Sequence, residues 1–156
     1  MRAVIQRVKE AHVRVQGKRV GEIRQGLLIF LAVSKKDSQE DADYLISKLI
    51  HLRIFEDQQG KMNISALEAQ AQFLVVSQFT LYGDCVKGRR PSFDQAADPK
   101  KAEEFYNYFA EQLRKQVSTK VATGLFRAMM EVSLINDGPV TFILETQCKH
   151  TTPTLI

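Results

Sequence analysis

Two short stretches carry residues out of keeping with the strands around them. In "AQFLVVSQFTLY", residues 71–82, Ser77, Gln78 and Thr80 close an otherwise apolar run, beside the turn-forming Gly83 and Asp84. The chemistry open to this segment begins with its hydroxyls. In a regular strand Ser77 and Thr80 point to opposite faces, so a shared site requires a bend or bulge between them. The plain alternative is that both hydroxyls pair with neighbouring backbone. The second stretch is "LINDGPVTF", residues 134–142, where Asn136-Asp137-Gly138-Pro139 interrupts a strand-like pattern. Asn-Asp-Gly is a turn signal, and the proline removes a backbone donor where pairing should resume. Gly-Pro is also among the few peptide bonds for which the cis form is accessible at modest cost. Composition alone favours a hairpin turn with its proline on an edge strand.

A third candidate is the basic loop that follows the first stretch. Lys87, Arg89 and Arg90 precede Phe93, and cations next to an aromatic can hold a phosphate backbone and stack a base. A solvated loop is the ordinary reading of such a run. The familiar hydrolase signatures are absent: no G-x-S-x-G surrounds Ser77, and there is no H-E-x-x-H and no P-loop. A triad assembled from distant residues stays open, but no histidine among His12, His51 and His150 is singled out.

The elements that must position these residues read as one α+β domain, a mainly antiparallel, barrel-like sheet with two main packed helices. The length of 156 residues is enough for a core without staples, and 44% apolar with 26% charged residues excludes a disordered chain. Residues 3–23 alternate as antiparallel strands, with Gly17 and Gly21 as turn points. "GLLIFLAV", from Gly26, is a strand covered on both faces. Ser38 with Asp41 opens a helix whose stripe is Ala42, Leu45, Ile46, Leu49 and Ile50. Asp98-Pro99 opens a second, burying Ala102, Phe105, Tyr106, Phe109 and Leu113, with Lys100, Lys101, Arg114 and Lys115 left to its outer face. "MMEVSLI" and "VTFILE" form a final strand pair around the Asn-Asp-Gly-Pro motif.

Other function classes are disfavoured. The N-terminus has no apolar h-region and no run approaches membrane-spanning length, so the expectation is a cytoplasmic protein without membrane contact. Cys85 and Cys148 lie in no metal or redox spacing, and Cys148 with His150 makes at most half a site, so no metal and no cofactor are expected. The net charge of +4 allows an acidic partner such as RNA without requiring one.

Taken together, "VVSQFTLYGD" and "NDGPVTF" resemble the two signature motifs of the D-aminoacyl-tRNA deacylase family, and "AVIQRV", "GLLIFLAV", "RIFEDQQGKMN" and "RRPSF" extend the resemblance over about residues 1–146. The resemblance implies a deacylase domain at 1–147 and a flexible C-terminal tail at 148–156, onto which no function is carried. It implies a homodimer acting on the aminoacylated 3′-terminal adenosine of tRNA. The reaction is hydrolysis of the D-aminoacyl ester, a step of chiral proofreading in translation. Backbone around Ser77, Gln78, Phe79 and Thr80 is expected to form the catalytic segment. The 2′-hydroxyl of the tRNA is expected to activate the attacking water, with Thr80 as a nucleophile the competing mechanism. Gly138 and Pro139, joined by a cis bond, are expected to enter the other subunit's site and leave no room for an L-side chain. Rejection of that kind spares glycine, so glycyl-tRNA mischarged on tRNA(Ala) is expected to be hydrolysed too. Phe79 with Arg90, Pro91, Ser92 and Phe93 is expected to line the pocket, Met130 to contact the adenosine, and Arg7 to brace the loop offered to the partner. The runner-up is a non-catalytic tRNA-binding module, which would ignore the chirality of the 3′ end. A third reading is an esterase with no RNA partner.

Overall fold

A computed structural model describes residues 1–146, and expectations for the tail, Cys148 and His150 lie outside the described residues. Alternating and apolar runs set the strands: β1 (Arg2–Val15), β2 (Lys18–Ile23), β3 (Gly26–Ala32), β4 (Arg53–Glu56), β5 (Met62–Ser65), β6 (Gln72–Ser77), β7 (Val121–Thr123) and β8 (Glu131–Glu145). Two helices, α1 (Gln39–His51) and α2 (Pro99–Gln116), complete the α+β fold. The main sheet runs β2-β1-β3-β6-β7, with β8 along the other side of β1; β4 and β5 form a separate hairpin.

The sheet is mixed. β1 is antiparallel to β2, β3 and β8, whereas β3–β6 and β6–β7 are parallel. The helices supply the crossovers that parallel pairing demands: α1 lies between β3 and β6, and α2 between β6 and β7.

Close backbone approach shapes the sheet at two glycines. A Cβ on Gly26 would stand 1.9 Å from the carbonyl oxygen of Gln72, so only glycine lets β3 meet β6 there. A Cβ on Gly21 would stand 2.4 Å from the carbonyl oxygen of Thr123, where β2 comes up against β7 and nearly closes the sheet into a barrel. Gly21 is therefore an interior residue of β2, not the turn point its composition suggests. The turn is at Gln16-Gly17, both at positive φ (50° and 75°).

Two cores follow from the alternation. On the helix side of the sheet, Leu27, Ile29, Leu31, Phe73 and Val75 pack with Leu45, Ile46, Leu49, Phe109 and Leu113. Inside the curve, Leu28, Leu74 and Val76 pack with Val8, Val13 and Ile23. The expected α1 stripe is the buried one. On α2, Tyr106, Phe109 and Leu113 are buried with Ala110, while Ala102 and Phe105 are only partly covered. Both starts are capped as the sequence indicates: Asp98 accepts from the backbone N–H groups of Lys100 and Lys101, and Asp41 accepts from that of Ser38. Asp37 instead turns inward, and its carboxylate takes the α-ammonium of Met1 at 2.6 Å and the Ser34 amide at 2.6 Å.

The largest difference from the expected fold lies at Asn-Asp-Gly-Pro. No hairpin forms there. Residues 131–145 make one continuous strand along β1, and the motif is a bulge within it. Gln6 faces Thr141 and Val8 faces Asn136, so the four residues 137–140 stand opposite Arg7 alone. Among the described residues, no helix is long and apolar enough to cross a membrane.

Candidate active site

The bend required between Ser77 and Thr80 exists. β6 ends at Ser77, Gln78 leaves the strand at φ −146°, ψ 72°, and Phe79–Tyr82 form a single 3₁₀ turn. Tyr82 anchors the turn: it is buried, the Arg2 guanidinium lies 4.9 Å from its ring centroid, and Arg2 Nη1 donates to the Leu81 carbonyl. With its far end fixed, the turn presents Phe79 and Thr80 outward.

The hydrogen bonds of this turn decide which donors remain. The Gln78 N–H is committed to the Leu31 carbonyl at 2.8 Å. Leu81 and Gly83 donate to Gln78 and Thr80 in the 3₁₀ pattern. The amides of Phe79 and Thr80 stand at the start of the turn, where no earlier turn offers an acceptor. Neither amide has a hydrogen-bond partner among the described residues, and two adjacent N–H groups of this kind are able to serve an oxyanion. The Thr80 hydroxyl accepts from the side-chain amide of Gln78, and among the described residues no acid or imidazole lines the cavity beside it.

These residues open onto a cavity of about 740 Å³. Val76 to Thr80 form one wall, Phe93, Ala96 and Ala97 a second, Pro99, Ala102 and Tyr106 of α2 a third, and Phe126 to Met130 a fourth. Phe79 and Phe93 meet edge to face, with centroids 5.0 Å apart, and bridge two walls. The Tyr106 hydroxyl donates to the Val75 carbonyl at 2.7 Å, and burial pushes its phenol up to about 12, so it is a neutral donor and no base. Arg127 is the one charged residue lining this cavity among the described residues.

Of the expected site residues, the structure brings together Ser77, Gln78, Phe79, Thr80, Phe93 and Met130. Arg90, Pro91 and Ser92 do not line the cavity. They belong to a loop pinched shut by reciprocal Asp84–Ser92 backbone hydrogen bonds (2.7 and 2.9 Å), with Gly88 at φ +75°. Lys87, Arg89 and Arg90 stand exposed on that loop. Arg7, Gly138 and Pro139 lie elsewhere, on the β1–β8 face. The Gly138-Pro139 bond is cis.

Arg7 and the bulge form a unit of their own. Arg7 is 5% exposed. Its Nε meets the Asp137 carbonyl at 3.0 Å and the Asp137 carboxylate at 3.1 Å, and its Nη1 donates to the Ile54 carbonyl at 2.6 Å. Glu56 pairs with Nη2 at 3.3 Å. Asn136 closes the bulge by donating to the carbonyls of Arg7 and Val140, and Val140 is buried in the helix-side core.

A second, polar cleft of about 420 Å³ lies at the opposite end of β6, near Gln72. Arg19 and Glu22 pair within it at 2.5 Å, and this partner holds the Glu22 carboxyl below the usual carboxylate range. None of the motif residues reaches it.

Sequence reasoning missed Phe126 and Arg127 as cavity residues and cast Tyr106 only as core. "LFRAMM" has no composition that marks a site. The distinguishing signal is conformational: Arg127 sits at φ +62°, which no residue type announces.

A small, nearly closed mixed barrel with two helices on one side and an apolar pocket at a strand end defines a class of single-domain protein. Residues 4–145 match the D-Tyr-tRNA(Tyr) deacylase family, and the chain belongs to it. A D-aminoacyl-tRNA deacylase of Thermosipho melanesiensis is 54% identical over 94% of this chain and 98% of its own. One of Geotalea uraniireducens is 56% identical over 94% of each. A solved structure described as a c-Myc DNA unwinding element binding protein is 42% identical, with a TM-score of 0.88 over 93% of this chain and 98% of that one. A probable eukaryotic D-amino acid tRNA deacylase, 22% identical with a TM-score of 0.80, shares the fold over 92% of this chain and 97% of its own.

Proposed function

We infer that this chain hydrolyses the ester joining a D-amino acid to the 3′-terminal adenosine of tRNA, yielding free D-amino acid and uncharged tRNA. Family membership supports the reaction class. The observation that carries the mechanism is the cavity itself, with two amides on one wall free of described partners and no acid, imidazole or lysine among the described residues of its lining. An aminoacyl ester is already activated, so orientation and oxyanion donors can supply much of the acceleration. Water adds to the ester carbonyl, the amides of Phe79 and Thr80 receive the developing oxyanion, and the ribose 3′-oxygen leaves with a proton. The neighbouring 2′-hydroxyl of the substrate orients and activates the water, the role no side chain here is equipped to take. An unactivated threonine is a poor nucleophile, which argues against an acyl-enzyme on Thr80.

Chirality is read by backbone in this proposal. Gly138 and Pro139 are exposed on the bulge and do not line their own cavity, and a second protomer would present them to it. Carbonyls near the substrate α-carbon exclude an L-side chain by collision. Glycine has no Cβ to collide, so glycyl-tRNA, including tRNA(Ala) mischarged with glycine, is also a substrate. We assign the deacylase domain to residues 1–147 and place its proofreading role in the cytoplasm, where charged tRNA is used.

The test is paired deacylation of D-tyrosyl-tRNA and L-tyrosyl-tRNA at equal concentration, with glycyl-tRNA as a third substrate. Rapid loss of the D- and glycyl-esters alone is expected. Equal hydrolysis of D and L would leave an esterase without a chiral filter. Hydrolysis of neither, with retained tRNA binding, would overturn the reading in favour of a binding module.

A further inference from the structure

An apolar cavity has little use for a lone cation. The lining is built from aliphatic and aromatic side chains, a few hydroxyls and amides, and Arg127. No described carboxylate pairs with that guanidinium, a condition it shares with other exposed arginines such as Arg89 and Arg90. An exposed arginine is ordinarily just solvated, so a second observation is needed.

The backbone provides it. Three described non-glycine residues have positive φ: Gln16, Gln70 and Arg127. Gln16 shares a tight hairpin turn with Gly17, and Gln70 leads from a turn into β6. Arg127, at φ +62°, is the one that lines the cavity, in a turn closed by the Ala128 amide on the Leu125 carbonyl at 3.2 Å. Glycine would adopt this conformation without cost. A long cationic side chain held there against its backbone preference, on the wall of an apolar pocket, is the kind of strain that accompanies a site.

We propose that Arg127 is a phosphate-binding residue, which grips the 5′-phosphate of the terminal adenosine. The inference rests on the deacylase reading above and adds a substrate contact to it. The aminoacyl-adenosine carries no negative charge of its own. The first charge encountered where the RNA strand leaves that pocket is the phosphate 5′ to the adenosine. A guanidinium can meet two phosphate oxygens at once, which fixes the direction of the strand as well as holding it.

The experiment compares three substrates: 3′-O-D-tyrosyl-adenosine, the same ester bearing a 5′-monophosphate, and D-tyrosyl-tRNA. Each is assayed with wild type, Arg127→Gly and Arg127→Lys. Glycine relieves the left-handed backbone, so Arg127→Gly should melt no lower than wild type. Wild type should prefer the 5′-phosphorylated ester by about tenfold in kcat/KM, the scale of one charge-assisted contact. Arg127→Gly should lose that preference, its kcat/KM on the two nucleoside esters becoming equal, and Arg127→Lys should restore part of it. On tRNA, Arg127→Gly should raise KM and reduce the slope of log KM against log salt by about one phosphate contact. An equal preference in wild type and Arg127→Gly overturns the assignment, as does an equal loss on all three substrates. If wild type hydrolyses none of the three, the deacylase reading itself fails and takes this inference with it.

Discussion

At the scale of single residues, the chemistry is set by what Thr80 lacks. Its hydroxyl accepts from Gln78, and the described residues of the cavity offer no carboxylate or imidazole to take its proton. A nucleophile acting through an acyl-enzyme cannot be removed without losing nearly all turnover, on the order of 10⁴-fold or more. We therefore expect Thr80→Ala to retain turnover within about tenfold of wild type, because the backbone amide of residue 80 survives the substitution. A tRNA ending in 2′-deoxyadenosine should lose about 10²- to 10⁴-fold, the range of a positioned proton-transfer group. Single-turnover rates on D-tyrosyl-tRNA measure both. Collapse of Thr80→Ala, or unimpaired hydrolysis of the deoxy substrate, would return the chemistry to the threonine.

At the scale of elements, regular structure was legible and irregular structure was not. The α1 stripe and both helix caps follow from a period and a capping residue, which are local properties. The ends of "VVSQFTLY" and "NDGPVTF" could be flagged because their residues violate the strand pattern. How they resolve depends on partners far along the chain. The Phe79–Tyr82 turn is held by Arg2, and the bulge is held by Arg7, so neither conformation is written in its own segment. Turn chemistry alone therefore implied a hairpin where β1 imposes a bulged continuous strand. Arg7 illustrates the energetic side. Replacing it with Met would leave the carbonyls of Ile54 and Asp137 without this donor, while Glu56 and the Asp137 carboxylate stay partly hydrated. Arg7→Met should cost about 1–3 kcal/mol by chemical denaturation, less than the loss of a fully buried pair. Because the residue positions the bulge and touches no cavity wall, D-ester hydrolysis should persist while the ratio of D- to L-tyrosyl-tRNA hydrolysis falls. A stability loss with an unchanged D-to-L ratio would make Arg7 a purely structural residue and weaken the bulge as the chiral filter.

At the scale of the whole molecule, β8 leaves two things unfinished. It pairs with β1 along one side only, and three large apolar residues stand exposed along it among polar ones: Ile135, Phe142 and Ile143 are 51%, 37% and 66% exposed. A long apolar edge strand is a standing invitation to pair with another chain. The same strand carries Gly138 and Pro139, exposed and outside their own cavity. A homodimer formed through β8 would cover the edge and bring each bulge towards the partner's pocket in one act. Sedimentation should therefore give a particle of twice the 17.7 kDa chain mass. Ile143→Glu, which places a charge in the proposed contact without touching the cavity or the bulge, should shift the protein to monomer. That monomer should keep its melting cooperativity but lose discrimination against L-tyrosyl-tRNA, since each pocket would be left without the other subunit's carbonyls. A monomeric Ile143→Glu protein that still rejects the L-ester would place the filter within a single chain, and the bulge would then need another purpose.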